Sequence, residues 1–133
     1  CENMTNSHKA ILKVDKLQVK EYARTALEAA SNKLATDCIA LDISQYLSVA
    51  DYFVIVTGSN DKQIAAIARE VEKELFEKHH LKLRNVEGDS KQSWLLLDFA
   101  DIVVHIFTPQ AREEYRLEKL WGDAPKFSIE NEK

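Results

Sequence analysis

Residues 52–79 read YFVIVTGSNDKQIAAIAREVEKELFEKH, and the change of pattern inside this stretch decides the fold class. Tyr52 to Thr57 is β-branched and aromatic without polar alternation, the pattern of a central strand covered on both faces. Gly58-Ser59-Asn60 stops it. From Asp61 the period lengthens. Ile64, Ile67, Ala68, Val71 and Leu75 fall on one helical stripe, with Arg69, Glu70, Lys73, Glu74 and Glu77 opposite. Asn60 followed three residues later by Gln63 has the form of a capping box, which predicts a helix over about 61–79. A buried strand running straight into an amphipathic helix belongs to an α/β sheet.

Upstream, Cys38-Ile39-Ala40-Leu41-Asp42-Ile43 reads as a second strand, with a turn over 44–48. Before it, Val19, Ala23, Ala26, Leu27, Ala30 and Leu34 recur at helical spacing, which predicts a helix from Lys16 to about Ala35. Residues 1–15 are mixed and polar and read as a flexible segment. Downstream, Leu81 to Val86 reads as a short strand and 87–90 as a loop. Trp94–Asp98 and Ile102–Phe107 are strong strands separated only by Phe99-Ala100-Asp101, which predicts an antiparallel hairpin. Pro109 suits the first turn of a helix over 111–121, and Gly122 its C-terminal cap. Residues after Pro125 read as a tail. The expectation is a single α/β domain over 16–125, with N-terminal segment 1–15 and tail 126–133. Helices pack on a mixed sheet of about five strands, in the order α-β-β-α-β-β-β-α.

A chain of 133 residues has room for one core. Its net charge of −4 lacks the basic excess of a protein that grips phosphates over a wide surface, and its lysines and arginines are scattered among acids. The two cysteines, Cys1 and Cys38, have neither zinc-site nor disulfide-framework spacing, and a reducing compartment fits them best. No apolar run approaches the roughly 20 residues of a membrane span, and no signal peptide is visible. Residues 1–3 precede Met4 and read as an addition to the natural start; a removed targeting peptide is also compatible with this beginning.

The residues that carry chemistry argue weakly for an enzyme. Asp98 and Asp101 flank the hairpin turn, where Asp is favoured for backbone reasons; surface recognition fits them better than acid–base work. His105 shares a strand face with Val103 and Phe107, but Ser93, the nearest nucleophile, sits in no nucleophile elbow. A satisfied or partner-facing histidine fits better. His79-His80 ends a helix, where a cation is favourable, and adjacent histidines cannot share a metal from one helix face. Thr57-Gly58-Ser59 resembles the Gly-Ser motif of nucleotidyltransferases. The matching acids, Glu70 and Glu72, lie two apart on a helix and so point about 200° apart, unable to hold one ion. No metal or cofactor site is expected. Aromatic residues beside acids concentrate instead in the C-terminal half. Trp94 opens a hairpin strand, and Tyr115, Leu117, Leu120 and Trp121 crowd the last helix among Arg112, Glu114, Arg116, Glu118 and Lys119. Trp and Tyr are common at the energetic centres of interfaces. Leu120 and Trp121 suit a core-capping role equally well, whereas Trp94, at the start of its strand, leans to the surface.

Several segments in order resemble the ribosomal silencing factor, or Iojap-like, family. They are Ala50 to Ile55, Thr57-Gly58-Ser59 with Gln63, Ala66-Ile67-Ala68, Glu87-Gly88, Trp94 to Asp98, Asp101 to Phe107 and Arg112 to Ala124, within a match over about 17–125. One departure is Ala100, where the family pattern has glycine, so a more relaxed turn is expected there. The resemblance implies a nucleotidyltransferase-like fold without catalytic residues, and no enzyme activity. It implies binding to the large ribosomal subunit through the fourteenth large-subunit ribosomal protein, on the face that meets the small subunit, so that joining is blocked and translation repressed. It implies a homodimer as one assembly state, and a bacterial cytoplasmic setting, or an organellar matrix or stroma if a targeting peptide has been removed. Given the acidic balance, the contact is expected to be with ribosomal protein and little with RNA. The expected contact residues are Trp94 as apolar anchor, Asp98, Asp101 and Glu118 as partners for basic groups, and His105 and Tyr115 as hydrogen-bonding groups. The alternative is a nucleotidyltransferase-like nucleotide binder using Gly58 and Ser59.

Overall fold

The computed structural model describes residues 2–47, 50–89 and 93–129, with side chains from residue 16 onward except that of Asp89. Its elements are α1 (Glu2–Asn32), β1 (Thr36–Asp42), β2 (Tyr52–Thr57), α2 (Asp61–His79), β3 (Asn85–Asp89), β4 (Trp94–Asp98), β5 (Ile102–Phe107), α3 (Pro109–Tyr115), α4 (Leu117–Leu120) and β6 (Lys126–Phe127). The six strands form one sheet in the order β3-β4-β5-β2-β1-β6. Among the described residues only β2 and β5 run parallel; the other pairs are antiparallel. The mixed α/β architecture with β2 at its centre is therefore as the sequence predicts, with one strand more.

Period-two alternation sorts the strands onto two faces. Tyr52, Val54 and Val56 of β2, Leu95 and Leu97 of β4, and Ile102, Val104 and Ile106 of β5 meet the stripe of α1 (Val19, Ala23, Ala26, Leu27, Ala30) and that of α2. On α2 the apolar residues Ile64, Ile67, Val71 and Leu75 are fully buried. At about 1.5–3 kcal/mol for each large apolar side chain buried, this stripe holds the helix far more strongly than its intrinsic propensity does. Asn60 caps α2 by accepting from the Gln63 N–H at 2.9 Å. Gly58 lets the helix start close to the sheet: a Cβ there would lie 2.9 Å from Ile64 Cγ1.

Five details differ from the sequence reading. No proline or glycine interrupts residues 2–32, and α1 is helical from Glu2 rather than from Lys16. Leu81 and Leu83 pack on the core without a strand partner, and pairing with β4 begins only at Asn85. Strand β3 then runs through Glu87 and Gly88, read as loop; Gly88 adopts φ +75, where any Cβ would run into the Trp94 carbonyl. The predicted helix 111–121 is two helices, broken at Arg116. Lys126 and Phe127, read as tail, pair with Leu41 and Ala40 as β6, and Phe127 packs edge-on to Tyr52 at 5.8 Å.

Candidate partner-binding face

The sheet face opposite α1 and α2 is covered unevenly. Over β1 and β2 a smaller core gathers Leu41, Ile43, Ile55, Phe107, Ala111 and Ala124, roofed in part by Leu117 and Trp121. Over β4 the face remains partly open. Strand register places Trp94, Leu96 and Asp98 of β4 on it, opposite Phe107, His105 and Val103 of β5. Trp94, Leu96, Asp98 and Val103 are each half-buried, and Tyr115 at the end of α3 is 52% exposed.

Trp94 is the centre of this face. Its indole stacks on Phe107 (5.8 Å between centroids) and His105 (6.1 Å), and Tyr115 leans over it at 5.2 Å. Its Nε1–H donates to His105 Nδ1 at 3.3 Å. That bond leaves Nδ1 as acceptor, so the neutral ring carries its proton on Nε2. His105 is 4% exposed, and its Nε2 has no partner among the described residues. Burial pushes its pKa down to about 4, so at neutral pH the ring is an uncharged plate beneath Trp94. The sequence assigns His105 a bond to a partner. The structure places it in the floor of the face, against Phe53 at 4.7 Å.

The carboxylates are distributed differently from one another. Asp98 accepts from the Ala100 N–H at 2.7 Å and from Arg84 Nη2 at 3.0 Å. Burial pulls its carboxyl upward, but the Ala100 N–H and the Arg84 guanidinium outweigh that and hold it below the usual carboxylate range. Asp101 is exposed at the hairpin turn, and its carbonyl accepts from the Asp51 N–H at 2.9 Å. Glu118 accepts from Arg112 Nε at 2.8 Å, and Arg112 Nη1 donates to Thr57 Oγ1 at 2.8 Å. The structure thus joins Trp94, Asp98, His105 and Tyr115 around one face, puts Asp101 at its rim, and turns Glu118 toward Arg112 within the same chain. Sequence reasoning missed Leu96, Arg84 and Arg112. Leu96 was legible from the alternation Trp94, Leu96, Asp98; the partners of Arg84 and Arg112 lie 14 and 6 residues away with no local signal.

The Thr57-Gly58-Ser59 turn is occupied by its own neighbours. The Ser59 N–H and hydroxyl both donate to Gln63 Oε1, at 2.6 and 2.8 Å, and Gln63 Nε2 donates to the Lys33 and Leu34 carbonyls. The amide that a phosphate would seek is already bonded. Beside it lies an open cleft of about 970 Å³, in which Arg112, Arg116 and Lys119 face Asp37, Glu113 and Glu118, three cations against three acids. Among the described residues, no three His, Cys, Asp or Glu side chains are grouped to hold a metal ion, and no helix is long and apolar enough to cross a membrane.

Comparison with known proteins matches residues 16–133 to the family described as ribosomal silencing factor during starvation. The chain is 43% identical over 106 residues to ribosomal silencing factor RsfS of Bacillus subtilis, covering 80% of this chain and 89% of that protein. It is 34% identical over 92 residues to the mouse protein named mitochondrial assembly of ribosomal large subunit protein 1, covering 65% of this chain and 39% of that one. The crystal structure of protein CV0518 from Chromobacterium violaceum superposes with a TM-score of 0.74 at 33% identity, covering 78% of this chain and 86% of that one. Sequence and fold agree, and the chain belongs to the ribosomal silencing factor family.

Proposed function

We propose that the chain docks through the open sheet face onto a protein of the large ribosomal subunit and keeps the small subunit away by occupying the joining surface. The fourteenth large-subunit ribosomal protein is the partner that the family resemblance implies. The observation that carries the reading is the aromatic shelf of half-buried Trp94 and exposed Tyr115, on a sheet whose other face is buried under two helices. Such a shelf, flanked by Leu96, Asp98 and Asp101, has the make-up of an interface centre with a charged rim. A standard contact of about 800 Å² per partner would suffice to hold a domain of this size in place, and exclusion by volume needs no chemical step. The acidic balance suits a basic ribosomal protein and disfavours broad RNA contact. The mouse relative's name ties that protein to the large subunit, which supports the same subunit here. In this reading Trp94 and Tyr115 make the central contacts, Asp98 and Asp101 meet basic groups, and His105 supports Trp94 from below. Self-association would use the same shelf, so a dimer and the ribosome-bound form exclude each other.

The test is sedimentation of mixed subunits through a sucrose gradient with and without the protein. It should travel with the large subunit and reduce joined ribosomes. Trp94→Ala should weaken binding by tenfold or more while leaving the far-ultraviolet circular dichroism unchanged, since hot-spot truncations cost about 2 kcal/mol or more. No association of the wild-type chain with isolated large subunits would end the proposal. The nucleotide-binding alternative is addressed by calorimetry with ATP and magnesium ions; the prior engagement of Ser59 by Gln63 predicts no saturable heat.

A further inference from the structure

We infer that Arg112 is the positioning residue of the docking face: by joining Thr57 to Glu118 it selects the bend at Arg116 that lets α3 keep Tyr115 over Trp94 while Leu117 and Trp121 beyond it fold back on the sheet. The inference rests on that face being the docking surface and names what sets its shape.

The local sequence favours a straight helix. Residues 111–121 contain no proline or glycine, and the apolar residues keep helical spacing. The chain nevertheless breaks at Arg116, which closes α3 and opens α4 at φ 50, ψ 47, a left-handed conformation that non-glycine residues adopt at a cost. Something outside the local backbone must favour the break. Helix α4 has only four residues, too few to stand alone, and none of them is buried. Beyond the break Leu117 and Trp121 pack on the second core, and the side-chain pair that crosses it is Arg112–Glu118. In a continuous helix, residues six apart point about 240° apart and do not meet. Arg112 Nε and Glu118 Oε1 can therefore approach to 2.8 Å only in the bent form.

The other end of the guanidinium is anchored in the sheet. Arg112 Nη1 donates to the hydroxyl of Thr57, the last residue of β2, which is 4% exposed. The Arg112 side chain is 11% exposed, so its charge is largely withdrawn from water and depends on these two partners. The planar fork of arginine can serve both at fixed geometry; a lysine ammonium offers no such fork. Tyr115 is the last residue before the break and packs on Trp94 at 5.2 Å and on Phe107 at 5.7 Å. The same contact explains Thr57 of the Thr-Gly-Ser turn: its hydroxyl holds the docking face in shape.

Binding to purified large subunits is measured for wild type, Arg112→Lys, Glu118→Gln, the double variant, and Arg112→Lys combined with Arg116→Gly. The near-ultraviolet circular dichroism band that Trp94→Ala removes is followed in parallel. Arg112→Lys and Glu118→Gln should each weaken binding about tenfold and diminish that band, and the double variant should bind no worse than the weaker single one. Glycine at position 116 relieves the left-handed backbone, so Arg116→Gly should restore most of the binding lost in Arg112→Lys. Wild-type affinity and band in both single variants overturn the inference. Failure of Arg116→Gly to restore anything also overturns it, because the bend would then not be what Arg112 supplies. If Arg112→Lys does not fold, Glu118→Gln, whose side chain is 37% exposed, decides alone by the same two readouts. If the wild-type chain does not bind large subunits, the docking reading fails, and the band decides the clamp: its loss in Glu118→Gln and return with Arg116→Gly upholds the bend, and its retention overturns it.

Discussion

Ala100 carries more strain than its small side chain suggests. It holds φ 73 in the three-residue turn between β4 and β5, where a more relaxed turn was expected. The turn stays tight because its backbone groups are committed: Ala100 N–H to Asp98, Phe99 N–H to the Ile102 carbonyl, Asp101 N–H to the Phe99 carbonyl. Ala100→Gly should therefore raise unfolding free energy by about 1 kcal/mol, read as a higher urea midpoint at unchanged slope. His105 gives a pH signature. Unfolded, its imidazole takes a proton near 6.5; folded, only near 4. Between these values the unfolded chain binds more protons, so the stability held above pH 6.5 declines as pH falls toward 4. The loss should reach about 3 kcal/mol, and a variant with phenylalanine in place of His105 should lose this part of the pH dependence. Trp94 and Tyr115 were legible as interface candidates because bulky aromatics beside acids at a strand start and on a short helix are conspicuous. For His105 the sequence left a satisfied and a partner-facing reading open, since Phe53, which packs on its ring, comes from a different strand.

Gln63 binds two elements together. Its side chain spans the Ser59 N–H and the last carbonyls behind α1, so one residue both extends the cap of α2 and closes the exit of α1. Gln63→Ala should cost about 1–2 kcal/mol, lowering the melting temperature by roughly 4–7 °C in a chain of this size. The strands β2, β4 and β5 and helix α2 were legible to the residue, because each has a strong period bounded by Gly, Asn, Asp or Pro. The elements that escaped were those held by distant partners. Strand β6 is two residues long and exists through β1. Strand β3 has no alternation and takes its register from β4. The break between α3 and α4 is bridged by the Arg112–Glu118 pair, and Arg112 is anchored in turn at Thr57, 55 residues away in sequence.

Across the whole molecule, a net charge of −4 and an acidic rim should make association with a basic partner sensitive to salt. As ionic strength rises from about 0.01 to 0.15 M, the screening length falls from about 30 to 8 Å. Stopped-flow measurement should then show a slower association rate and a dissociation rate that barely moves. Architecture at this scale was readable from element order, but the face left open was not: period two divides each strand into two sides without saying which side the helices take. The sheet itself is two antiparallel ribbons joined along a single parallel seam, β2 against β5, whose partners lie about 50 residues apart in the chain. The β3-β4-β5 ribbon and the β1-β2 pair can each zip from their own turns, whereas the seam, like the β1–β6 edge, must wait for a long loop to close. Refolding should accordingly be limited by seam formation. Truncating Val54 or Val104 should slow refolding, and truncating Phe127 at the far edge should mainly hasten unfolding.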